Sequence, residues 1–182
     1  MTTDTPQTPL SFFHPVSLLA TWFGSGKSPK APGTMGSIAA LPFAYAIHTL
    51  AGAQILMLSS LILFFVGIWV SDKYVEANGT KHDPGEIVID EVVGVWLILV
   101  ALPITLNGYI FGFLLFRVFD IFKPWPISVC DKHVPGGFGI MLDDLLAAIY
   151  PVLIIGLLVI FCGITGQTWM SDFYEFLGKN GF

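Results

Sequence analysis

Charged side chains are scarce in this 182-residue chain. They make up 12% of it, against about 25% in an ordinary soluble domain. With 54% of the residues hydrophobic, that scarcity excludes a soluble globular domain and indicates an integral membrane protein. Basic charge is scarcer still. Eight Lys and Arg face thirteen Asp and Glu, for a net charge of −5, which excludes nucleic acid as a partner. There are two cysteines, Cys130 and Cys162. They match no metal-ligand spacing, and Cys162 lies in an apolar run, where a buried, inert thiol is expected. The first fifteen residues lack the basic start of a signal peptide and read as a loose tail. There is no internal repeat and no low-complexity tract.

What is present is a series of apolar runs. The sequence predicts an amphipathic half-helix over 15–23, a Gly/Pro/Ser/Thr-rich loop over 24–37 and a helical hairpin of 38–50 and 53–70. A polar stretch covers 71–83. Helices follow over 84–102 and 109–123, the latter ended by Pro124. A loop over 125–142 leads to a last apolar run over 143–164, interrupted by Pro151. Several runs are shorter than the ~20 residues of a full crossing. The fold class is therefore all-α: a polytopic helical membrane protein with short or interrupted helices. Two-helix hairpins separate the 24–37, 71–91 and 117–144 regions, so all three belong on one side. Seven of the eight basic residues (27, 30, 73, 81, 117, 123 and 132) fall in them, and the positive-inside rule makes that side cytoplasmic.

Three clusters of charge interrupt or abut these runs: H-D-P-G-E-I-V-I-D-E at 82–91, R-V-F-D-I-F-K-P-W-P at 117–126, and Asp143-Asp144. Carboxylates beside a membrane are costly unless something pairs with them or uses them. In the first cluster, Asp83-Pro84 with Glu86 has the pattern of a helix-capping box, and His82 is either a surface residue or a ligand or proton carrier. Asp90 and Glu91 are expected two turns into that helix, too far in to cap it, with no basic residue at i+3 or i+4. A cation is their natural partner.

Arg117, Asp120 and Lys123 follow an i, i+3, i+6 spacing on one helix face. Either they form an ion ladder, or Asp120 ligates a metal while Arg117 and Lys123 clamp a phosphate. Two cations for one acid favour the second. Asp143 and Asp144 are expected at a helix start, one as a cap and one as a metal ligand. G-S-G-K-S at 24–28 is not a nucleotide P-loop, because Thr21 stands where Gly is required and Pro29 obstructs the following helix. The segment is either an anion nest, to which Thr34 and Ser37 add hydroxyls, or a plain turn capped by Ser37.

Four ordered blocks resemble the bacterial phosphatidylglycerophosphatase A family: G-S-G-K-S-P-K-A-P-G-T-M-G-S at 24–37, H-D-P-G-E-I-V-I-D-E-V-V-G at 82–94, F-R-V-F-D-I-F-K-P-W-P-I at 116–127 and D-K-H-V-P-G-G-F-G-I-M-L-D-D at 131–144. The resemblance spans about residues 15–165. It implies a membrane-embedded phosphatase domain there, with a flexible tail over 1–14 and a C-terminal tail over 166–182. It also implies a Mg²⁺-dependent enzyme of the bacterial inner membrane that converts phosphatidylglycerophosphate to phosphatidylglycerol. The acidic positions carried over are Asp90, Glu91, Asp120, Asp143 and Asp144; the basic ones are Arg117 and Lys123.

The residues read alone agree with this. Hard carboxylate oxygens suit Mg²⁺, which would activate a water for in-line attack on phosphorus while Arg117 and Lys123 stabilise the phosphoryl oxygens. His82 is one candidate for protonating the leaving group. Two rivals are weaker. A cation-coupled transporter would place its acids near the bilayer midplane, whereas these lie at one end of their helices. A CDP-alcohol phosphotransferase would carry a D-x-x-D-G…G-x-x-x-D-x-x-x-D pattern, which is absent.

Overall fold

The computed structural model describes residues 9–79, 84–125, 127–129 and 134–179. In chain order its main elements are α1 (Pro15–Ala20), a 3-10 turn (Ser25–Lys27), α2 (Pro32–Ala51), α3 (Ala53–Asn78), α4 (Ile89–Leu99), α5 (Leu106–Phe122), α6 (Gly136–Thr165) and α7 (Trp169–Gly178). The described residues contain no β-sheet. Three of the helices, α2, α3 and α6, are long and apolar enough to cross a membrane. The fold is therefore a polytopic α-helical one, completed by the shorter α4 and α5.

Local chemistry sets most of the boundaries. Pro32 occupies the first turn of α2, where its missing N–H costs nothing. Gly52, at φ 87°, turns the chain between α2 and α3. Thr105 caps α5, its Oγ1 accepting from Gly108 N at 3.1 Å. Gly166, at φ 68°, ends α6 in the left-handed conformation that glycine adopts without strain.

Helix α4 is the centre of the bundle. Nine of its eleven residues are buried, and beyond its first turn it is apolar all round because it faces protein, not lipid. It packs against α2, α3, α5 and α6. Small residues permit the close approach: Ala40 and Ala44 of α2 are fully buried, and Gly36 of α2 lies against Val88, where a Cβ would come within 2.6 Å of the valine Cβ. Two tryptophans tie the layer together. Trp96 Nε1 donates to Ala40 O at 3.0 Å and Trp22 Nε1 to Ala39 O at 3.3 Å, and their rings meet edge to face at 5.7 Å.

Several boundaries differ from the sequence expectation: α3 runs on to Asn78, past the expected end at 70, and the starts of α2, α4 and α6 move functional residues. Helix α2 begins at Pro32, so residues 32–37 are helical and do not form a loop. Helix α4 begins at Ile89, with Val88 as its cap position. Residues 84–88 cannot join it: Ile87 N closes a turn onto Pro84 O at 2.8 Å, and Val88 N is taken by Ala20 O of α1 at 2.9 Å. The expected capping box is therefore not built. Glu86 instead accepts from Tyr74 OH at 2.5 Å, and Asp83 lies outside the described residues.

Helix α6 begins at Gly136, about two turns ahead of Asp143 and Asp144, so neither aspartate caps it. Its first turn is capped from α3, where Asp72 Oδ1 accepts from Gly137 N at 2.6 Å. Within the 166–182 stretch, residues 169–178 form α7, which is held to the α4–α5 turn. Thr105 Oγ1 donates to Leu177 O, Asn107 Nδ2 to Lys179 O at 3.0 Å, and Tyr174 OH to Ala101 O at 3.3 Å.

The packing of α4 on α5 and α6 leaves no room at Gly94. A Cβ there would sit 2.7 Å from Phe116 Cζ and 3.2 Å from Asp144 O. Gly94→Ala is expected to cost ~1–3 kcal/mol by overpacking, seen as a lower thermal midpoint in detergent. Gly156→Ala, with nothing within 4 Å of its Cβ, should leave the midpoint unchanged or raise it. Equal midpoints for the two variants would contradict the close approach.

Candidate active site

The N-terminal ends of α2 and α4, the second turn of α6 and the C-terminal end of α5 meet at one end of the bundle. They enclose a cavity of about 340 Å³. Its lining includes Ala31, Pro32 and Gly33 from the start of α2, Asp90 and Glu91 from α4, Arg117, Asp120 and Lys123 from α5, and Asp143 and Asp144 from α6. Five carboxylates face two cations, an excess of three formal negative charges.

The carboxylates divide into two groups by partner. Asp90, Glu91 and Asp144 form one cluster, with an oxygen of each lying within 4.8 Å of the others. Asp90 and Glu91 sit in the first turn of α4, not two turns inside it. There the helix dipole favours negative charge, and Asp90 Oδ1 accepts from Glu91 N at 3.0 Å. Glu91 Oε2 and Asp144 Oδ2 are buried with no hydrogen-bond partner among the described residues. Asp144 is only 2% exposed.

The other two acids pair with cations. Arg117 Nη1 lies 2.5 Å from Asp120 Oδ2 and 3.9 Å from Glu91 Oε1. Lys123 Nζ bonds Asp143 Oδ2, reaching across from α5 to α6. Of the ion ladder that was one alternative for this segment, the Arg117–Asp120 rung is present, while Lys123 turns to a different helix. Asp120 still borders the cluster, within hydrogen-bonding reach of Asp144. Arg117 Nε is buried with no hydrogen-bond partner among the described residues.

Orphaned, buried carboxylate oxygens fit a divalent cation. Each would be expensive to leave charged and unpaired in the interior, and an all-oxygen donor set suits a hard ion such as Mg²⁺. The cluster can therefore hold a metal through Asp90, Glu91 and Asp144, with Asp120 beside it.

The 24–37 segment contributes backbone, not hydroxyls. Ser37 is fully buried and its Oγ donates to Gly33 O at 2.8 Å. Thr34 is partly exposed on α2, and neither side chain is part of the cavity lining. What reaches the cavity is the start of α2. Its cap position, Ala31, is left-handed at φ 48° and supplies no side-chain acceptor. Pro32 has no N–H, so the N–H groups this end offers are those of Gly33 and Thr34, which the cap residue's side chain does not satisfy. Gly33 is placed where a Cβ would run into Glu91 Oε1 and come 3.1 Å from Arg117 Nη1.

These α2 residues went unassigned in the sequence reading, although P-G-T at 32–34 carried the signal of a proline-started helix. The remaining glycines of the segment serve packing: Gly26 lies against the Glu86 carbonyl. Lys27 points elsewhere, over the Phe12 ring at 5.6 Å. His82, Asp131 and His133 lie outside the described residues.

Comparison with known proteins bears on the same residues. A family model described as Phosphatidylglycerophosphatase A matches residues 18–159. Phosphatidylglycerophosphatase A of Haemophilus influenzae is 41% identical over 156 residues, covering 85% of this chain and 95% of the relative. That of Escherichia coli is 42% identical over 147 residues, covering 80% and 84%. A putative phosphatidylinositol-3-phosphatase of Bacteroides thetaiotaomicron is 40% identical over 156 residues, covering 79% and 92%. No solved structure matches the chain. The family match spans α2 to α6, including every side chain of the carboxylate cavity, and with two long relatives above 40% identity the chain belongs to the phosphatidylglycerophosphatase A family.

Proposed function

We propose that this protein hydrolyses the phosphate monoester of phosphatidylglycerophosphate to phosphatidylglycerol and phosphate, in a Mg²⁺-dependent reaction at the cytoplasmic face of a bacterial inner membrane. The observation that carries this reading is the buried Asp90, Glu91 and Asp144 cluster with its orphaned oxygens, set beside Arg117 in a chain of this family.

The geometry suits a dianionic head group. Arg117 and Lys123 lie on the cavity wall, where they would donate to phosphoryl oxygens as charge builds in the transition state. The N–H groups at the start of α2 add uncharged donors for the same oxygens. Asp120 and Asp143 hold the two cations in place, so that their side chains do not have to be ordered when substrate arrives. Asp90, Glu91 and Asp144 would hold Mg²⁺, with Asp120 and Asp143 at its border. Bound there, the ion would supply neutralising charge and a more acidic water.

A phosphatidylinositol phosphate is the comparator substrate, because one relative carries that name. Purified protein should release phosphate from phosphatidylglycerophosphate in Mg²⁺ and stop in excess EDTA. Faster release from phosphatidylinositol 3-phosphate would reassign the head group. Undiminished release in EDTA would remove the metal from the reaction.

The individual carboxylates give a sharper test. Asp90→Asn, Glu91→Gln and Asp144→Asn should each lower turnover by more than the roughly 10–100-fold typical of residues that merely support a metal ligand. Glu86→Gln keeps an acceptor for Tyr74 and should change turnover little. A readout independent of activity is available. Mg²⁺ should raise the thermal midpoint of the wild type but not that of Asp144→Asn. In EDTA the variant should be at least as stable as wild type, because a buried unpaired charge has been removed. A wild-type Mg²⁺ response in Asp144→Asn would place the ion elsewhere.

Orientation follows from the basic residues concentrated at the site end. Single cysteines at Ser28 and Asn78, in a background without Cys130 and Cys162, should be shielded from an impermeant thiol reagent in intact cells. Cysteines at Asn107 and Ser171 should react. The reverse pattern would invert the site.

A further inference from the structure

A second cavity, of about 380 Å³, lies between α5, α6 and α7 and is lined by apolar side chains alone. Leu115 and Phe119 form its α5 wall, Pro151 and Ile155 its α6 wall, and Met170 and Phe173 of α7 close its far end. We propose that it is the binding groove for one acyl chain of the lipid substrate. The inference rests on the lipid-phosphatase reading above and identifies the part of the substrate that reading leaves unplaced.

Three features favour a substrate chain over an unrelated occupant. First, the groove lies between the same two helices, α5 and α6, that carry Asp120 and Asp144 to the carboxylate cavity. Phe119 directly precedes Asp120, and Pro151 follows Asp144 by two turns of α6. The Phe119 and Tyr150 rings, 6.4 Å apart, join α5 to α6 beside the groove.

Second, the depth is right. Phe111, the deepest groove residue on α5, is nine residues from Asp120, roughly 14 Å along a helix rising ~1.5 Å per residue. That is close to half of the ~30 Å hydrocarbon thickness of a bilayer, the depth of one leaflet. A chain hanging from a head group at Asp120 and Asp144 would fill the groove and stop.

Third, the groove has a floor. Phe173 of α7 packs edge to face on Phe111 at 5.1 Å, and α7 is hydrogen-bonded to the α4–α5 turn. Along the α6 wall, Ile154 is 44% exposed, which leaves a side opening through which a chain enters from the bilayer.

The test compares two acyl lengths in detergent micelles. Ile154→Trp and Leu158→Trp fill the groove and touch no residue of the carboxylate cavity. Each should reduce kcat/KM for dipalmitoyl phosphatidylglycerophosphate at least about tenfold, the scale on which apolar pockets discriminate, while dihexanoyl substrate changes by less than about twofold. Equal loss on both lengths, or none on either, overturns the groove.

A measurement without turnover separates this inference from the proposed activity. Phosphatidylglycerophosphate carrying a diazirine near the end of one acyl chain should label Phe111, Met170 or Phe173 on irradiation. Unlabelled phosphatidylglycerophosphate should compete, and phosphatidylcholine should not. Such labelling without any hydrolysis would sink the phosphatase reading and leave the groove standing. Hydrolysis with label spread over the outer faces of α2 and α3 would sink the groove and leave the phosphatase.

Discussion

Burying negative charge is the constraint around which this bundle is arranged. Helix α4 holds Asp90 and Glu91 in its first turn, beside Asp144 of α6. Left charged and unpaired, each would cost several kcal/mol. The fold meets part of that cost with what it has. The carboxylates of α4 sit at the positive end of their own helix dipole, the start of α2 faces them, and Arg117 stands 3.9 Å from Glu91. The remainder is unmet, since two buried oxygens lack partners among the described residues. Local stability has been given up where a cation can restore it, which is how a binding site differs from a structural ion pair.

Holding that arrangement requires backbone contact at several points. Gly33 makes room for Glu91, Gly36 for Val88 and Gly94 for Phe116. In each case a single methyl group would displace a residue of the cavity or its immediate support. Gly33 and Gly36, on the first two turns of α2, shape the carboxylate cavity through their lack of a side chain. They let α2 come close enough for its first turn to form one wall.

The helical membrane class was legible in composition alone, and so was the gathering of the charged clusters at one end, because hairpin counting needs only the order of apolar runs. The identity of the metal-type acids was partly legible. Asp90 and Glu91 lacked a local cationic partner in the sequence, and in the structure Glu91 Oε2 has no hydrogen-bond partner among the described residues. Helix starts were not legible where their determinants are distant. A backbone bond from Val88 to Ala20 delays α4, and Asp72 of α3 starts α6 early. Pairing across helices was hidden for the same reason. Spacing on one face left one cation of the 117–123 segment without an acid, and that partner is Asp143 on α6, which bonds Lys123. The C-terminal helix α7 was missed because its anchors, Ala101, Thr105 and Asn107, lie some seventy residues away.

The full burial of α4 has a consequence for how the protein is assembled. Helices α2, α3 and α6 are long and apolar enough to enter a bilayer singly. Helix α4 has eleven residues and two carboxylates in its first turn, too short to span, and each acid adds to the cost of insertion. It has no stable place in lipid and acquires one only among the other helices. Insertion and folding are therefore separate events for this chain: the long helices fix the topology, and the site comes into being only when α4 is received into the gap between them.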